Sequence, residues 1–283
     1  MSQQTLVRRP RTIFISDIHL GTKSCKAEFL LDFLKAHEPE TLFLVGDIVD
    51  GWALKRSWYW DPSHDAVVRE ILRKAANGTR VVYVPGNHDE SLRGFEGLYA
   101  DVEVVEEAVH ETADGRRLLV VHGDDHDAVV RGARWLAHVG DWGYGAAVSA
   151  NHWLNHGRRL LGFPYWSLSG FLKRNVKEAL HFVDDFERSV ARSARDRGFD
   201  GVVCGHVHAA KMREVENVLY CNDGDWVDSC TALVEHPDGR LELLDWMQER
   251  MMLLYAGREW RVAKDVVESE VASSTPIASS AMR

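Results

Sequence analysis

The segment TLFLVGDIVD, residues 41–50, joins a run of apolar and β-branched residues to a turn in which a glycine is followed by two aspartates. Apolar runs without alternation are typical of strands that are buried on both faces of a sheet. Similar runs occur at residues 12–16, 80–84, 117–121 and 201–204. Helical patterns at residues 24–37 and 65–77 lie between the early runs, so we predict an α/β fold built from layers of strands and helices.

Each of these five predicted strands is followed by side chains that can bind a metal ion. The motifs are Asp17-x-His19, Gly46-Asp47-x-x-Asp50, Gly86-Asn87-His88-Asp89, His122-Gly123 and Gly205-His206-x-His208. Ligands of open α/β sheets bind at the carboxyl ends of the strands. A mixture of carboxylate, imidazole and carboxamide groups suits a pair of divalent ions, and a carboxylate between two cations offsets their repulsion.

Taken singly, most of these motifs also have an ordinary structural explanation. Asp-x-His and Gly-Asp sequences are common in turns, and Asp50 could simply cap a helix. A single buried histidine such as His122 is more often a hydrogen-bonded core residue than a ligand. Because all five motifs occur together, each at the end of a strand, we favour one shared metal site over five unrelated turns.

Composition and charge exclude several classes of protein. The chain has 283 residues, with 34 basic and 43 acidic side chains, and its net charge of −9 argues against a general electrostatic binder of nucleic acid. The sequence has no secretory signal and no run of 18 apolar residues, so we expect a cytoplasmic protein. Four cysteines without a Cys-x-x-Cys pair agree with a reducing compartment. We expect one domain over residues 11–261 and a disordered Ser/Ala-rich tail over 262–283.

Residues 127–197 differ from the rest of the chain, and we interpret them as an inserted helical cap. No Asp or Glu occurs between Trp142 and Lys177, whereas aromatic residues are frequent there and are interleaved with Arg and Lys. A segment of this kind could hold acyl chains and phosphate groups, or lie on an anionic membrane. The alternative is a packed helical hairpin with solvated basic tips.

The ordered series of motifs resembles that of the calcineurin-like metallophosphoesterase superfamily over roughly residues 11–210. The resemblance implies a four-layer α-β-β-α sandwich with two divalent metal ions, manganese first, with iron or zinc as alternatives. Carried over by position, one ion would bind Asp17, His19, Asp47 and His208, and the other Asp47, Asn87, His122 and His206. The two ions would activate water for attack on phosphorus and stabilise the phosphoryl oxygens.

The same resemblance assigns catalytic roles to two residues that are not metal ligands. His88 would lie near the leaving-group oxygen and donate a proton to it, and Asp50 would orient the His88 imidazole. Capping of a helix remains the alternative role for Asp50.

The SDIHLG opening, the HGD block and the absence of Arg after GDxxD are similar to the UDP-2,3-diacylglucosamine diphosphatase branch of that superfamily. Its members split the pyrophosphate of a lipid-linked UDP-sugar during lipid A synthesis, which yields UMP and a lipid-sugar 1-phosphate. The similarity implies a lipid-linked nucleotide sugar as substrate and peripheral contact with the inner membrane through the cap. By loose alignment, Asp127, Asn175 and Lys177 would contact the substrate.

Two departures keep other functions open. His88 stands where the diphosphatase branch usually has Arg, and the cap is longer and richer in Trp than in that branch. A broader phosphodiesterase or phosphomonoesterase acting on another nucleotide or lipid phosphate is therefore the main alternative. A protein phosphatase is less favoured because Gly51-Trp52 replaces the Arg-Gly that follows GDxxD in that class. A non-catalytic membrane adaptor that keeps metal for folding is the last alternative.

Overall fold

The computed structural model describes residues 7–129 and 183–252, with side chains up to residue 126 in the first range. Most of the predicted cap (127–197) and the whole predicted tail (262–283) lie outside these ranges. Within them, twelve strands form one seven-stranded and one five-stranded sheet. None of the helices in the described ranges is both long enough and apolar enough to span a bilayer.

The seven-stranded sheet has the order β12-β11-β1-β2-β3-β5-β4. Its strands are β1 (Thr12–Ile15), β2 (Thr41–Val45), β3 (Arg80–Val84), β4 (Gly97–Tyr99), β5 (Val102–Val104), β11 (Thr231–Glu235) and β12 (Leu241–Asp245). The five-stranded sheet has the order β6-β7-β8-β10-β9. Its strands are β6 (Ala108–Glu111), β7 (Arg117–Val120), β8 (Gly201–Cys204), β9 (Lys211–Val215) and β10 (Val218–Asn222).

The two sheets pack face to face, and helices cover both outer faces. Helices α1 (Ala27–Ala36) and α3 (Pro62–Ala76) pack on the seven-stranded sheet, and helical residues 183–196 pack on the five-stranded sheet. Between the sheets, the stacked rings of Phe14 and Phe43 lie 4.9 Å apart and contact apolar side chains of β7 and β8. The predicted four-layer α-β-β-α sandwich is confirmed.

Parallel pairing brings the candidate ligands to one edge of the molecule. Strands β1, β2 and β3 are parallel and in register, since Ile15 lies opposite Leu44, and Val45 opposite Val84. Strands β7, β8 and β10 are parallel in the second sheet. The loops that follow these strands therefore leave both sheets at the same edge, which we call the site edge.

Most elements match the sequence-based expectation, with two kinds of correction. Helix α3 begins earlier than predicted, because Asp61 accepts a hydrogen bond from Ser63 N and Pro62 occupies the first turn. The five predicted strands are not consecutive, because β4, β5 and β6 lie between the third and the fourth. Strand β4 is exposed along its whole length, so it lacks the apolar run by which the others were recognised.

The edge opposite the site edge holds a set of polar side chains that joins the two sheets. We call it the inter-sheet cluster, and it consists of Arg11, Thr12, His110 and Glu235. The Glu235 carboxylate is fully buried and lies 2.7 Å from His110 Nε2 of the second sheet. It also accepts hydrogen bonds from Arg11 Nη1 and Ala113 N, both at 2.7 Å. The charges of this cluster are thus paired within the protein.

Candidate metal centre

The loops at the site edge hold the predicted ligands in an unusual backbone conformation. Five of the seven, Asp17, His19, Asp47, His206 and His208, have positive φ angles between 49° and 71°. Residues other than glycine rarely adopt this region, and such strain persists only where the surrounding structure fixes it. Hydrogen bonds between loops do so here: Asp17 N donates to Gly46 O at 3.1 Å, and His19 N donates to Asp47 O at 2.9 Å.

The side chains converge into overlapping groups that could each hold a metal ion. Asp17, His19 and His208 form one group, and Asp47, His122 and His206 form another. A third group of His19, Asp47 and His88 shares a residue with each, and the donor atoms within every group lie within 4.8 Å of one another. The His208 Nε2 atom lies 3.1 Å from Asp17 Oδ1. Residues 191 positions apart in a chain of 283 therefore meet at one place.

Asp47 lies between the two groups, as a bridging ligand would. Its Oδ2 atom is 3.9 Å from His19 Nε2, and its Oδ1 atom is 3.5 Å from His122 Nε2. Each carboxylate oxygen thus faces a different group. This is the arrangement in which one carboxylate offsets the repulsion between two cations.

Several donor atoms at the site edge are buried and have no hydrogen-bond partner among the described residues. They include His19 Nε2, His122 Nε2 and both polar side-chain atoms of Asn87. Asp17 Oδ1 also makes no aligned hydrogen bond, although His208 Nε2 lies 3.1 Å from it. His88 Nδ1 likewise makes no aligned hydrogen bond, although Asp50 Oδ2 lies 3.0 Å from it. A buried polar atom left unpaired costs about 1–3 kcal/mol, so a cluster of them calls for a ligand. Oxygen and imidazole donors of this kind fit manganese, iron or zinc.

The second ring nitrogens of two histidines show how these donors are oriented. His122 Nδ1 lies 2.9 Å from Val45 O, and His19 Nδ1 lies 3.2 Å from Asp50 Oδ2. When Nδ1 donates to such an oxygen, Nε2 keeps its lone pair for a metal. The residues present therefore fit a pair of divalent ions.

The carboxylates and imidazoles of the site shift one another's pKa. Burial opposes the ionisation of Asp17, but His208 and other imidazoles outweigh it, so the pKa of Asp17 lies below its usual value. Burial likewise opposes the charged form of His122, yet Asp47 raises the His122 pKa to about 10. The site therefore attracts positive charge strongly.

Glycines next to the ligands permit the close approach of the loops. A side chain at Gly86 would place its Cβ 2.3 Å from Asp47 Oδ1, and one at Gly205 would place it 2.4 Å from Asp17 Oδ2. Both distances are shorter than any ordinary contact. The predicted use of glycine before Asn87 and His206 is therefore consistent with the packing of the site.

His88 and Asp50 lie beside the candidate ligands. His88 Nδ1 is 3.0 Å from Asp50 Oδ2, and the other Asp50 oxygen accepts a hydrogen bond from Ala53 N at 2.7 Å. Asp50 thus caps helix α2 (Gly51–Arg56) and also contacts His88. The predicted orienting role of Asp50 is compatible with this contact and stays a prediction. Burial opposes protonation of His88, but Asp50 and Asp47 outweigh it and raise the His88 pKa.

Sequence reasoning overlooked three buried residues that contact this site, Ser16, Asp89 and Asp223. Ser16 Oγ lies 2.5 Å from Asp17 Oδ2 and 2.6 Å from Asp223 Oδ1. A hydroxyl carries one proton, and burial raises the pKa of Asp223, so a protonated Asp223 can supply the second hydrogen bond. Asp89 is the last residue of the GNHD motif, so the sequence did contain a signal that could have identified it as part of the site.

Three predicted substrate contacts remain predictions. Asp127 lies in a 3₁₀ turn (Asp124–Val129), but its side chain is outside the described part. Asn175 and Lys177 lie outside the described residues altogether.

Comparisons with known proteins agree with this geometry. A family model described as calcineurin-like phosphoesterase matches residues 10–210. The UDP-2,3-diacylglucosamine hydrolase of Cellvibrio japonicus is 26% identical over 228 residues, which cover 76% of this chain and 90% of that protein. The enzyme of the same name from Chromohalobacter salexigens is 23% identical over 264 residues, covering 89% of this chain and 92% of that protein.

Solved structures also match over most of the chain. An archaeal phosphodiesterase is 12% identical, with a TM-score of 0.39, and the match covers 82% of this chain and 98% of that one. Vacuolar protein sorting 29 from Cryptosporidium parvum is 12% identical, with a TM-score of 0.38, over 82% and 94% of the two chains. The family model spans more than half of the sequence, and the hydrolase relatives agree with it. The chain therefore belongs to the calcineurin-like phosphoesterase family and is a metal-dependent phosphoesterase.

Proposed function

We propose that this enzyme hydrolyses the pyrophosphate of UDP-2,3-diacylglucosamine and releases UMP and a lipid-sugar 1-phosphate. The observation that carries the proposal is the nearly end-to-end similarity to enzymes named UDP-2,3-diacylglucosamine hydrolases, which covers up to 89% of the chain. The predicted metal ligands at one edge of the sandwich supply the chemistry that cleavage of a phosphoric anhydride needs.

The ligand sets implied by the resemblance are compatible with the groups of donors and add Asn87 to them. We propose that Asp17, His19, Asp47 and His208 hold one ion and that Asp47, Asn87, His122 and His206 hold the other, with manganese as the expected metal. When bound, the pair would activate water and stabilise negative charge on the phosphoryl oxygens. Asp47, placed between the groups, would keep the two sites at a fixed separation.

His88 is suited to hold the proton that the leaving group needs. Its side chain is 24% exposed, so it can reach a substrate bound over the site. Asp50 fixes the ring from the Nδ1 side and favours the protonated form, and the Trp52 ring packs against it at 4.3 Å. Nε2 is then the atom that donates to the departing phosphate oxygen, while Asp50 orients the imidazole.

A second candidate function is a phosphodiesterase or phosphomonoesterase that acts on another nucleotide or lipid phosphate. The observation in its favour is His88 itself, which stands at the position where the diphosphatase branch usually has Arg. A histidine can protonate a leaving oxygen in many phosphoesters, and it does not restrict the substrate to a pyrophosphate.

A turnover panel separates the two functions. Manganese-loaded protein would be assayed with UDP-2,3-diacylglucosamine, soluble UDP-sugars, cyclic nucleotides and phosphomonoesters. The proposal predicts UMP release that is fastest with the diacyl substrate. Fast turnover of soluble esters without UMP release from the diacyl substrate would reject it in favour of the broader phosphoesterase.

We further propose that the enzyme is cytoplasmic and contacts the inner membrane through the part of the predicted cap (127–197) that precedes the sheet-packing helix, where residues 142–177 carry aromatic and basic side chains but no Asp or Glu. Aromatic and cationic residues together favour an anionic membrane surface. Cosedimentation with anionic vesicles, but not with neutral vesicles, is the expected result. Equal recovery in the supernatant with both kinds of vesicle would reject membrane contact.

A further inference from the structure

The carboxylate of Asp89 joins the two loops that carry the central residues of the site. Asp89 is only 3% exposed. Oδ1 accepts a hydrogen bond from Gly86 N at 2.5 Å, in the turn that leads to Asn87 and His88. Oδ2 accepts from Ile48 N at 2.8 Å, in the loop of Asp47, and from the Tyr83 hydroxyl.

The Asp47 loop surrounds this carboxylate with backbone N–H groups. Besides Ile48 N, Asp47 N and Val49 N both point to Asp89 at 3.4 Å. Gly46 and Asp47 have left-handed φ angles of 80° and 54°. Successive N–H groups in such a conformation form a concave anion site, and here the anion is a side chain of the protein itself.

Asp47 in turn contacts the His19 loop, the His88 loop and His122. Its carbonyl accepts from His19 N at 2.9 Å, and its Oδ1 accepts from His88 N at 2.8 Å. Its two carboxylate oxygens face the two ligand groups. A shift of Asp47 would therefore change both groups at once.

We propose that Asp89 is a positioning residue that sets the separation of the two metal sites by fixing the backbone of Asp47. Both Asp89 oxygens are already occupied by N–H and O–H donors, so Asp89 is not itself a ligand. It contrasts in this with Asn87, whose two polar side-chain atoms have no hydrogen-bond partner among the described residues. This inference concerns the metal pair and does not depend on which substrate the enzyme cleaves.

The test measures manganese binding by the Asp89→Asn variant of the full-length protein. Titration gives the number and affinity of the bound ions, and electron paramagnetic resonance shows whether they form a coupled pair. Asn keeps the size of the side chain but turns an NH₂ group toward backbone N–H donors. Wild-type protein is expected to bind two ions per chain and to give the exchange-coupled spectrum of a pair. The variant is expected to bind the second ion about 10- to 100-fold more weakly and to lose the coupled spectrum.

Glu235→Gln is the matched control, because Glu235 is also a buried carboxylate with protein partners, but it lies at the opposite edge. It is expected to lower stability while keeping two ions and the coupled spectrum. Wild-type affinity and coupling in Asp89→Asn would overturn the proposal, as would an equal loss of coupling in Glu235→Gln.

Asp89→Glu gives a second test should the Asn variant not fold. This change keeps the charge but moves it by one methylene, so a positioning role predicts that the coupled spectrum is lost here too. An unchanged spectrum in Asp89→Glu would contradict the proposal. All of these readouts are independent of UMP release, so failure of the proposed substrate would leave them intact.

Discussion

The two ends of the β-sandwich both bury charged groups, but only one end satisfies them internally. At the inter-sheet cluster, Glu235 is paired with His110 and Arg11, and none of its buried side-chain atoms lacks a partner in the described ranges. At the site edge, both polar side-chain atoms of Asn87 and the Nε2 atoms of His19 and His122 have no hydrogen bond among the described residues. Similar residue types therefore stabilise the fold at one end, whereas at the other end they leave polar atoms for a bound ligand.

The largest effect is expected at the centre of the site. Asp47→Asn keeps the shape of the side chain and tolerates the positive φ angle of 54°, but removes the charge shared by both ligand groups. We expect turnover to fall by about 10³-fold or more. Burial opposes the ionisation of Asp47, but His122 outweighs it and lowers the Asp47 pKa, so the metal-free variant should also lose stability. Because repulsion from Asp17 offsets part of the attraction to His122, we expect a smaller loss in the free energy of unfolding than in Glu235→Gln.

Steady-state assays and urea denaturation measure these two quantities. Turnover within tenfold of wild type would show that Asp47 does not join the two metal sites. If Asp47→Asn lowered the free energy of unfolding by about 3–5 kcal/mol, as the loss of one partner of a buried ion pair does, Asp47 would stabilise the fold as much as Glu235 does. That result would contradict the contrast between the two ends.

Glu235→Gln should show the reverse behaviour. Glu235 is fully buried and accepts hydrogen bonds from the partly exposed Arg11 and from Ala113 N, so removing its charge is expected to lower the free energy of unfolding by about 3 kcal/mol. Turnover per folded molecule should stay at the wild-type level, because Glu235 lies at the edge away from the ligands. Urea denaturation and activity at a temperature well below the transition give both values, and reduced turnover of folded protein would be the contrary result.

His88→Gln tests the proton donor without removing a metal ligand. We expect turnover to fall by about 10²-fold, while the number of bound manganese ions stays at the wild-type value. The loss should be smaller with a substrate such as a nitrophenyl phosphodiester, whose leaving group needs no proton. An equal loss with both substrates would assign His88 to metal binding instead, consistent with its distance of 3.8 Å from Asp47 Oδ2.

The smallest expected effect is on the stability of the protein at acidic pH. Burial alone would raise the pKa of Glu235, but hydrogen bonds from His110 and Ala113 N outweigh it and lower the pKa to about 2. A carboxyl with a depressed pKa stabilises the fold above its ordinary value near 4.5, and this contribution is lost as the pH falls from about 4.5 to about 2. The stability difference between wild type and Glu235→Gln should therefore shrink over that range. A difference that is constant with pH would contradict the pairing.

The fold was predictable to the extent that its strands are buried. Strands β2, β3 and β8 have the predicted limits, because unbroken apolar runs mark strands covered on both faces. Strand β4 is exposed and β9 is largely so, and neither gives such a signal. Helix α2 has six residues and none of them is buried, so it lacks an apolar stripe.

The site was predictable where the ligand itself carries the pattern. Asp17, His19, Asn87, His206 and His208 all follow predicted strands, and parallel pairing brings strand ends together. The partners of these ligands could not be read in the same way. Ser16 meets Asp223 across 207 positions of the sequence, and the bonds of Asp89 to the Asp47 loop depend on a left-handed turn that only the tertiary structure fixes.

Anomalous diffraction from manganese-loaded crystals tests the central claim most directly, because it locates the ions and their ligands at once. We expect two peaks about 3.5–4 Å apart, with one Asp47 oxygen or both within bonding distance of the pair. A single peak, or two peaks that do not share Asp47, would contradict the dinuclear site.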